Sequence, residues 1–169
     1  MNKPLYDYFT NDHHRVEGFL DKATEVPGEI NMEYYHLFRT GLLKHIKMEE
    51  NILFPAAQKA NNGVPLPLQG KLRLDHGAIT SLMVVPPTAD VIKVLRHVLT
   101  LHDQLEEEPG GMYDVCEKLT SGETEHLLEK LQNVTEVPVH PHNNADYAMR
   151  SAIRSLERAG FNYDEIVAK

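Results

Sequence analysis

Two short stretches, DHHRVEGFL (residues 12–20) and HIKMEE (residues 45–50), decide how this chain folds, because each of them returns later in the sequence. The first resembles DHGAITSLM (residues 75–83): both begin with Asp-His and place apolar residues three, six and seven positions after that histidine. The second resembles HDQLEE (residues 102–107), which has the same His-x-x-x-Glu-Glu spacing. The alternating order of the four stretches predicts a pseudo-twofold four-helix bundle.

Apolar residues recur three and four positions apart in nearly every segment, so the fold is predicted to be all-α. Glycine and proline clusters end the segments and separate four core helices from a C-terminal extension. The core helices are predicted over residues 4–23, 31–60, 68–85 and 88–108. The extension is predicted to hold one or two short helices and a last helix over 143–159, closed by Gly160.

We expect an antiparallel up-down-up-down four-helix bundle over residues 1–115. The C-terminal helical extension, residues 116–169, is expected to pack on the same domain, because no low-complexity tract or long linker separates it from the bundle. The single cysteine, Cys116, excludes an internal disulfide and has no flanking cation that would make it reactive.

Composition narrows the classes of function. The chain has 169 residues, 41% hydrophobic and 25% charged, which is typical of an ordinary globular domain. With 17 Lys and Arg against 25 Asp and Glu, its net charge is −8, and no basic run indicates a nucleic-acid or anionic-membrane partner. No apolar stretch approaches the ~20 residues of a membrane span, and residues 1–7 lack the apolar core of a signal peptide, so we expect a cytoplasmic protein.

Each predicted core helix carries a histidine on its apolar face, and the second and fourth helices add a glutamate four residues later at matching places of the repeat. Residues three or four apart share a helix face, so the neighbours of each histidine can be read from the sequence. The faces are Leu5, Phe9, His13, Val16 and Leu20; Phe38, Leu42, His45, Glu49 and Ile52; Leu72, His76, Ile79 and Met83; and Leu95, Val98, His102, Leu105 and Glu106. Turned inward, they would bury four imidazoles and two carboxylates.

Buried carboxylates without a compensating charge are prohibitively costly, so a cation is expected among these groups. Two divalent ions meet the need: the two glutamates can bridge a metal pair, and the neutral imidazoles supply terminal nitrogens. Mixed nitrogen and oxygen donors without thiolate favour iron or manganese, with zinc as an alternative. The predicted ligands of two iron ions, which leave positions open for water or a small gas, are His13, His45, Glu49, His76, His102 and Glu106.

The neighbours of these ligands are less certain members of the site. His14 lies about 100° around the helix from His13, so His13 is preferred. Glu17 follows His13 by four residues and is interpreted either as an additional ligand or as a boundary carboxylate. Glu50 and Glu107 are expected to be solvated.

Two Glu-x-x-His pairs, Glu33 with His36 and Glu123 with His126, fit the pattern of ferritin-like di-iron bundles. His36, however, lies nine residues or about 180° from His45, and is expected to face away from the core. The second pair lacks a carboxylate helix in matching register, so a ferritin-like di-iron oxidase is the weaker alternative. The other histidines, expected at the surface, beside a ligand or in a loop, are His97, His140 and His142.

Taken together, these motifs resemble those of the hemerythrin family, in its bacterial and archaeal HHE cation-binding branch. The resemblance covers residues 5–115 and implies an antiparallel bundle around a carboxylate-bridged, oxo- or hydroxo-bridged di-iron centre. It rests on Asp12-His13, His45-x-x-x-Glu49-Glu50 with Leu53-Phe54-Pro55 following, Asp75-His76, and His102-x-x-x-Glu106-Glu107.

The chain departs from the oxygen-carrying members, whose third helix has two histidines four residues apart. Here Thr80 follows His76 at that spacing, and the fourth helix has His-x-x-x-Glu rather than His-x-x-x-x-Asp. The short cysteine-bearing N-terminal domain of members that repair iron centres is not found either. The expected function is therefore binding of, or response to, dioxygen, nitric oxide or peroxide, or iron handling.

An enzymatic role stays open at this point, with Tyr113 and Glu17 as the candidate proton donors. The alternative from another class is a metal-free helical interaction domain, in which the histidines are pH-sensitive packing groups. The physiological ligand and the oligomeric state are not predicted.

Overall fold

The computed structural model describes residues 2–169, and every regular element in that range is helical. The all-α prediction is therefore confirmed. The elements are α1 (Pro4–Ala23), α2 (Met32–Met48), a π-helical turn (Glu49–Leu53), α3 (Phe54–Ala60), α4 (Gln69–Val84), α5 (Ala89–Glu107), α6 (Met112–Leu119), α7 (Thr124–Gln132), α8 (Asp146–Ala159) and α9 (Tyr163–Ala168). No helix in the described range combines the length and apolarity needed to cross a lipid bilayer.

The four long predicted helices are present with ends that agree to within one or two residues. Local chemistry explains where they begin. Pro4 stands in the first turn of α1, where its missing N–H costs nothing. The side chain of Asn31 accepts hydrogen bonds from the backbone of Glu33 and Tyr34 at the start of α2. The hydroxyl of Thr88 accepts one from Val91 at 3.1 Å before α5.

The sequence analysis missed the π-helical turn inside the second predicted helix. Its wider hydrogen bond runs from the N–H of Phe54 to the carbonyl of Glu49, five residues back. Pro55 follows directly, and a proline within a helix removes a hydrogen bond and crowds the preceding turn, which favours local widening. The π-helical turn holds one residue more than an α-helical turn, which rotates the residues after Glu49 around the helix axis. Ile52, predicted to face inward, is therefore only half-buried, and Leu53 is buried instead.

The chain forms two compact units. Unit 1 contains residues 2–69 and 105–138, and unit 2 contains residues 70–104 and 139–169. In unit 1, α1 packs against α2, α6 and α7, while α6 also contacts α3 and α7 contacts the π-helical turn. The α1 and α2 helices are antiparallel, because their contacts pair Lys22 with Tyr34, Val16 with Gly41, and Asp12 with His45.

The close approach of α1 and α2 depends on Gly41. A Cβ atom at this position would lie 2.9 Å from Cγ2 of Val16, a branched side chain with little freedom to move away. The missing side chain lets the two helices meet one turn before His45 on α2. Gly41 thus helps to bring the histidines of the two helices together.

In unit 2, residues 139–169 of the C-terminal extension run along α4. The N–H of Asn143 donates to the carbonyl of Val84 at 2.8 Å, and the hydroxyls of Ser81 and Ser155 are 3.2 Å apart. The predicted helix end is confirmed, since Gly160 has the left-handed conformation (φ 92°) that favours glycine. The sequence analysis did not predict α9, which follows a cap by Asn162.

Candidate metal centre

Four of the six predicted ligands meet inside unit 1. His13 comes from α1, His45 from α2, Glu49 from the π-helical turn and Glu106 from the last turn of α5. One donor atom from each lies within 4.8 Å of those of the others. All four residues are buried, with both glutamates fully inaccessible to solvent. The group therefore has the residue types and the spacing to hold a metal ion.

Carboxylates outside the group orient both imidazoles. Nδ1 of His45 lies 2.8 Å from Oδ2 of Asp12, and Nδ1 of His13 lies 2.7 Å from Oε1 of Glu107. Since an ionised carboxylate only accepts, each Nδ1 carries a hydrogen, and in the neutral imidazole Nε2 is the acceptor that faces the glutamates. Nε2 of His13 is 3.4 Å from Glu106, and Nε2 of His45 is 3.6 Å from Glu49. Carboxylate partners of this kind fix the tautomer of histidines that bind metals.

The hydroxyl of Tyr113, on α6, lies among the same atoms. It donates to Oε2 of Glu49 at 2.8 Å and is 3.1 Å from Nε2 of both His13 and His45. A tyrosine hydroxyl has one hydrogen, so in the neutral state at most one of these three acceptors can receive it. The hydroxyl thus satisfies one of the three acceptors, whereas a cation can satisfy several acceptors at once.

The electrostatics of unit 1 favour positive charge on the imidazole of His45. Burial alone would lower the pKa of this imidazole, but the carboxylates of Glu49 and Asp12 outweigh it and the pKa is raised. The pKa of Asp12 is lowered: burial would raise it, but His45 and Arg15 stabilise the carboxylate. Burial, reinforced by Glu49 and Glu106, raises the pKa of Cys116 and keeps it a neutral thiol.

A second pair of predicted ligands, His76 and His102, lies in unit 2. Both are buried, and their ring centroids are 4.8 Å apart. Nδ1 of His102 lies 3.1 Å from Oδ2 of Asp75, so this imidazole is oriented by a carboxylate from the neighbouring helix, as His45 is in unit 1. The hydroxyl of Thr80 is turned back to the carbonyl of His76 at 2.8 Å.

The structure corrects one prediction about the residues next to the candidate ligands. Glu107 was expected to be solvated, but it is half-buried and accepts a hydrogen bond from Nδ1 of His13. His13 is buried in the donor group, whereas His14 is exposed. Residues outside the cluster in unit 1 are Glu17 and Glu50, which are half-buried, and His36 and His126, which are exposed. Those in unit 2 are His97 and His142, half-buried, and His140, exposed.

The sequence analysis did not assign a role to Asp12 or Asp75. Each precedes a histidine in the repeat, but the structure pairs each with a histidine of another helix, Asp12 with His45 and Asp75 with His102. The recurrence of Asp-His at matching places in the two halves was the signal that could have indicated this role.

Comparisons of the chain with protein-family models, with curated proteins and with solved structures found no match. The functional interpretation therefore depends on the residues and their geometry.

Proposed function

We propose that this protein is a hemerythrin-like, non-haem di-iron protein that binds or responds to dioxygen, nitric oxide or peroxide. The observation that carries the proposal is the buried group of His13, His45, Glu49 and Glu106, whose donor atoms lie within 4.8 Å of one another. The proposal includes an antiparallel four-helix bundle over residues 1–115, for which the antiparallel pairing of α1 and α2 is the structural support.

The donor set fits iron. Two imidazole nitrogens and two carboxylates without a thiolate suit iron or manganese better than a structural zinc site. Cys116, although buried nearby in α6, is not in the donor group and keeps its proton. When bound, iron supplies a redox-active centre with positions that can accept a small molecule.

His76 and His102 are proposed as the remaining ligands, and this part of the proposal comes from the sequence repeat. His102 precedes Glu106 by four residues on α5, just as His45 precedes Glu49. The carboxylate partner of His102 matches that of His45. Two ions rather than one are therefore expected for each chain.

The chain's own residues provide a proton next to the proposed centre. Tyr113 holds its hydroxyl hydrogen toward Glu49 and is buried, with 1% of its surface exposed. A donor in this place can form a hydrogen bond to a small molecule that enters the centre or deliver a proton to it. Glu17 is the weaker of the two candidates, because Tyr113 donates a hydrogen bond to a carboxylate of the donor group.

Metal analysis tests the proposal. Protein purified without oxygen from iron-supplied cells is expected to contain two irons per chain by mass spectrometry. Anaerobic titration with nitric oxide, followed by exposure to air or peroxide in separate samples, should then change the visible absorption spectrum. A chain that carries no metal after iron loading, and whose melting temperature a chelator leaves unchanged, would instead be a helical interaction domain.

A further inference from the structure

We propose that Lys71 and the end of α8 position His102, so that the C-terminal extension acts as a functional part of the metal centre. This inference rests on the proposed function for the role of His102 as a ligand. The contacts that carry it all lie within unit 2 and form a chain from the extension through Lys71 and Asp75 to the imidazole.

Asp75 is the middle of this chain, and both of its carboxylate oxygens are engaged. Oδ2 accepts the hydrogen bond from Nδ1 of His102 at 3.1 Å, while Oδ1 accepts one from Nζ of Lys71 at 2.6 Å. Only 1% of Asp75 is exposed. Rotation of the carboxylate would break either contact, so Lys71 fixes the oxygen that orients His102.

The extension in turn fixes Lys71. Nζ donates a second hydrogen bond to the carbonyl of Ala159 at 2.6 Å and lies 4.5 Å from the centroid of the Phe161 ring. An ammonium group has three hydrogens, and here two oxygens and one aromatic face surround it. The last carbonyls of a helix lack partners within the helix and attract a cation, which explains why the end of α8 is suited to this contact.

The turn after α8 makes this arrangement possible without strain. Gly160 has φ 92°, and the N–H of Phe161 donates to the carbonyl of Leu156 at 2.8 Å, which closes the helix end. The chain direction changes at the glycine, and Phe161, two residues after Ala159, contacts the same lysine. Further contacts of the extension with α4, at Ser155 and Asn143, hold α8 in place.

Lys93 offers a matched control. Its Nζ donates to the carbonyl of Val167 at 3.0 Å, so it also ties a long helix to the C-terminal segment. No carboxylate or histidine is part of that contact. A variant of Lys93 therefore loses the same kind of bond to the extension and leaves the orientation of His102 unchanged.

The experiment compares K71M, K71R and K93M in two measurements on the full chain. The first is the imidazole nitrogen NMR spectrum of the metal-free protein, which reports whether Nδ1 or Nε2 of His102 carries the hydrogen. The second is the dissociation constant for iron(II). In K71M we expect a mixture of tautomers at His102 and an affinity for iron(II) lowered about 10-fold, the low end for loss of a group that supports a ligand.

K71R is expected to restore most of the wild-type tautomer and affinity, and K93M should match the wild type in both measurements. F161A, which keeps Lys71 but removes its aromatic contact, should give a smaller change in the same direction. The proposal is overturned if K71M matches K93M in the NMR spectrum, or if its spectrum changes while its iron affinity does not. A wild-type chain that binds no iron would refute the proposed function, whereas the spectra of the metal-free protein would still decide whether Lys71 positions His102.

Discussion

The two units orient a buried imidazole by the same scheme but complete it with different cations. In unit 1, Oδ2 of Asp12 accepts from His45 at 2.8 Å, and Oδ1 accepts from Arg15 at 3.0 and 3.1 Å. In unit 2, Asp75 binds His102 and Lys71 in the same way. Both cations lie on the same helix as their aspartate, and the side chains of Arg15 and Lys71 are 50% and 38% exposed, but Lys71 also donates a hydrogen bond to the C-terminal extension.

This difference indicates that the positions of the carboxylate and the imidazole are constrained, whereas the position of the cation is not. The carboxylate and the imidazole recur at matching places in the sequence, as expected if each imidazole is a metal ligand that needs a partner for Nδ1. The cation comes three residues after the aspartate in unit 1 and four residues before it in unit 2. Its position is therefore set by what each unit packs nearby, and only in unit 2 does it connect the imidazole to a later segment of the chain.

The largest expected effect comes from removing the ligands of unit 1. The double variant H45A and E49A should lose all bound iron, because it removes one of the two imidazoles and one of the two carboxylates in the donor group. Ligand-dependent stability would be lost too: at 100 times the dissociation constant, a bound ion contributes about 2.7 kcal/mol. Iron analysis measures the loss of metal, and thermal unfolding with and without chelator measures the loss of ligand-dependent stability. The exposed histidine variant H36A is the control and should retain its iron.

The next largest effect is expected from the carboxylates that accept hydrogen bonds from His45 and His102. D12N and D75N should each weaken iron(II) binding about 10- to 100-fold, because the imidazole loses the acceptor that fixes its tautomer. Equal losses of iron affinity in D12N and D75N would show that His45 and His102 contribute equally to binding. Unequal losses would show which of the two contributes more. Affinities unchanged in both variants would contradict the role of these aspartates.

A smaller effect is expected where α1 and α2 approach each other. G41A should destabilise the protein by about 1–3 kcal/mol, since the new Cβ would lie 2.9 Å from Val16 and the helices must separate. The matched control is G18A on α1, where an added Cβ has no neighbour within 4 Å. That variant should be stabilised by about 0.5–1 kcal/mol, because alanine is the better helix former. Chemical denaturation measures the free energy of unfolding of both variants. Equal changes in G41A and G18A would show that the close approach of α1 and α2 does not affect stability.

The smallest effect is expected for Arg15. R15M should change the free energy of unfolding by less than about 1 kcal/mol, because an ion pair with a half-exposed arginine is weak in water. Its effect on iron affinity should also be smaller than that of K71M, whose lysine has further partners in the extension. A larger loss of iron affinity in R15M than in K71M would contradict the conclusion that the cation of unit 2 is the more firmly held.

Much of the fold could be predicted from the sequence, since helical periodicity and capping residues determine where the long helices begin and end. The π-helical turn could not, because Pro55 within a helical pattern allows either a kink or local widening. The burial of Leu53 in place of Ile52 follows from that choice.

The burial of candidate ligands was predictable where helix faces alone decide it. His13, His45, Glu49 and Glu106 are buried, as expected for residues that stand on an apolar face at a regular spacing. The roles of other groups depend on contacts between helices, which spacing along one helix does not reveal. Asp12 and Glu107 reach imidazoles of other helices, and Tyr113 enters the donor group from a helix outside the repeat.

The central claim is that the acceptor-rich group in unit 1 holds a cation. Anomalous diffraction at the iron edge, on crystals grown from iron-loaded protein without oxygen, tests it most directly. We expect a peak between Nε2 of His13, Nε2 of His45 and the carboxylates of Glu49 and Glu106. Iron-loaded crystals with no peak among these atoms, or with iron bound only at exposed histidines such as His126, would contradict the account.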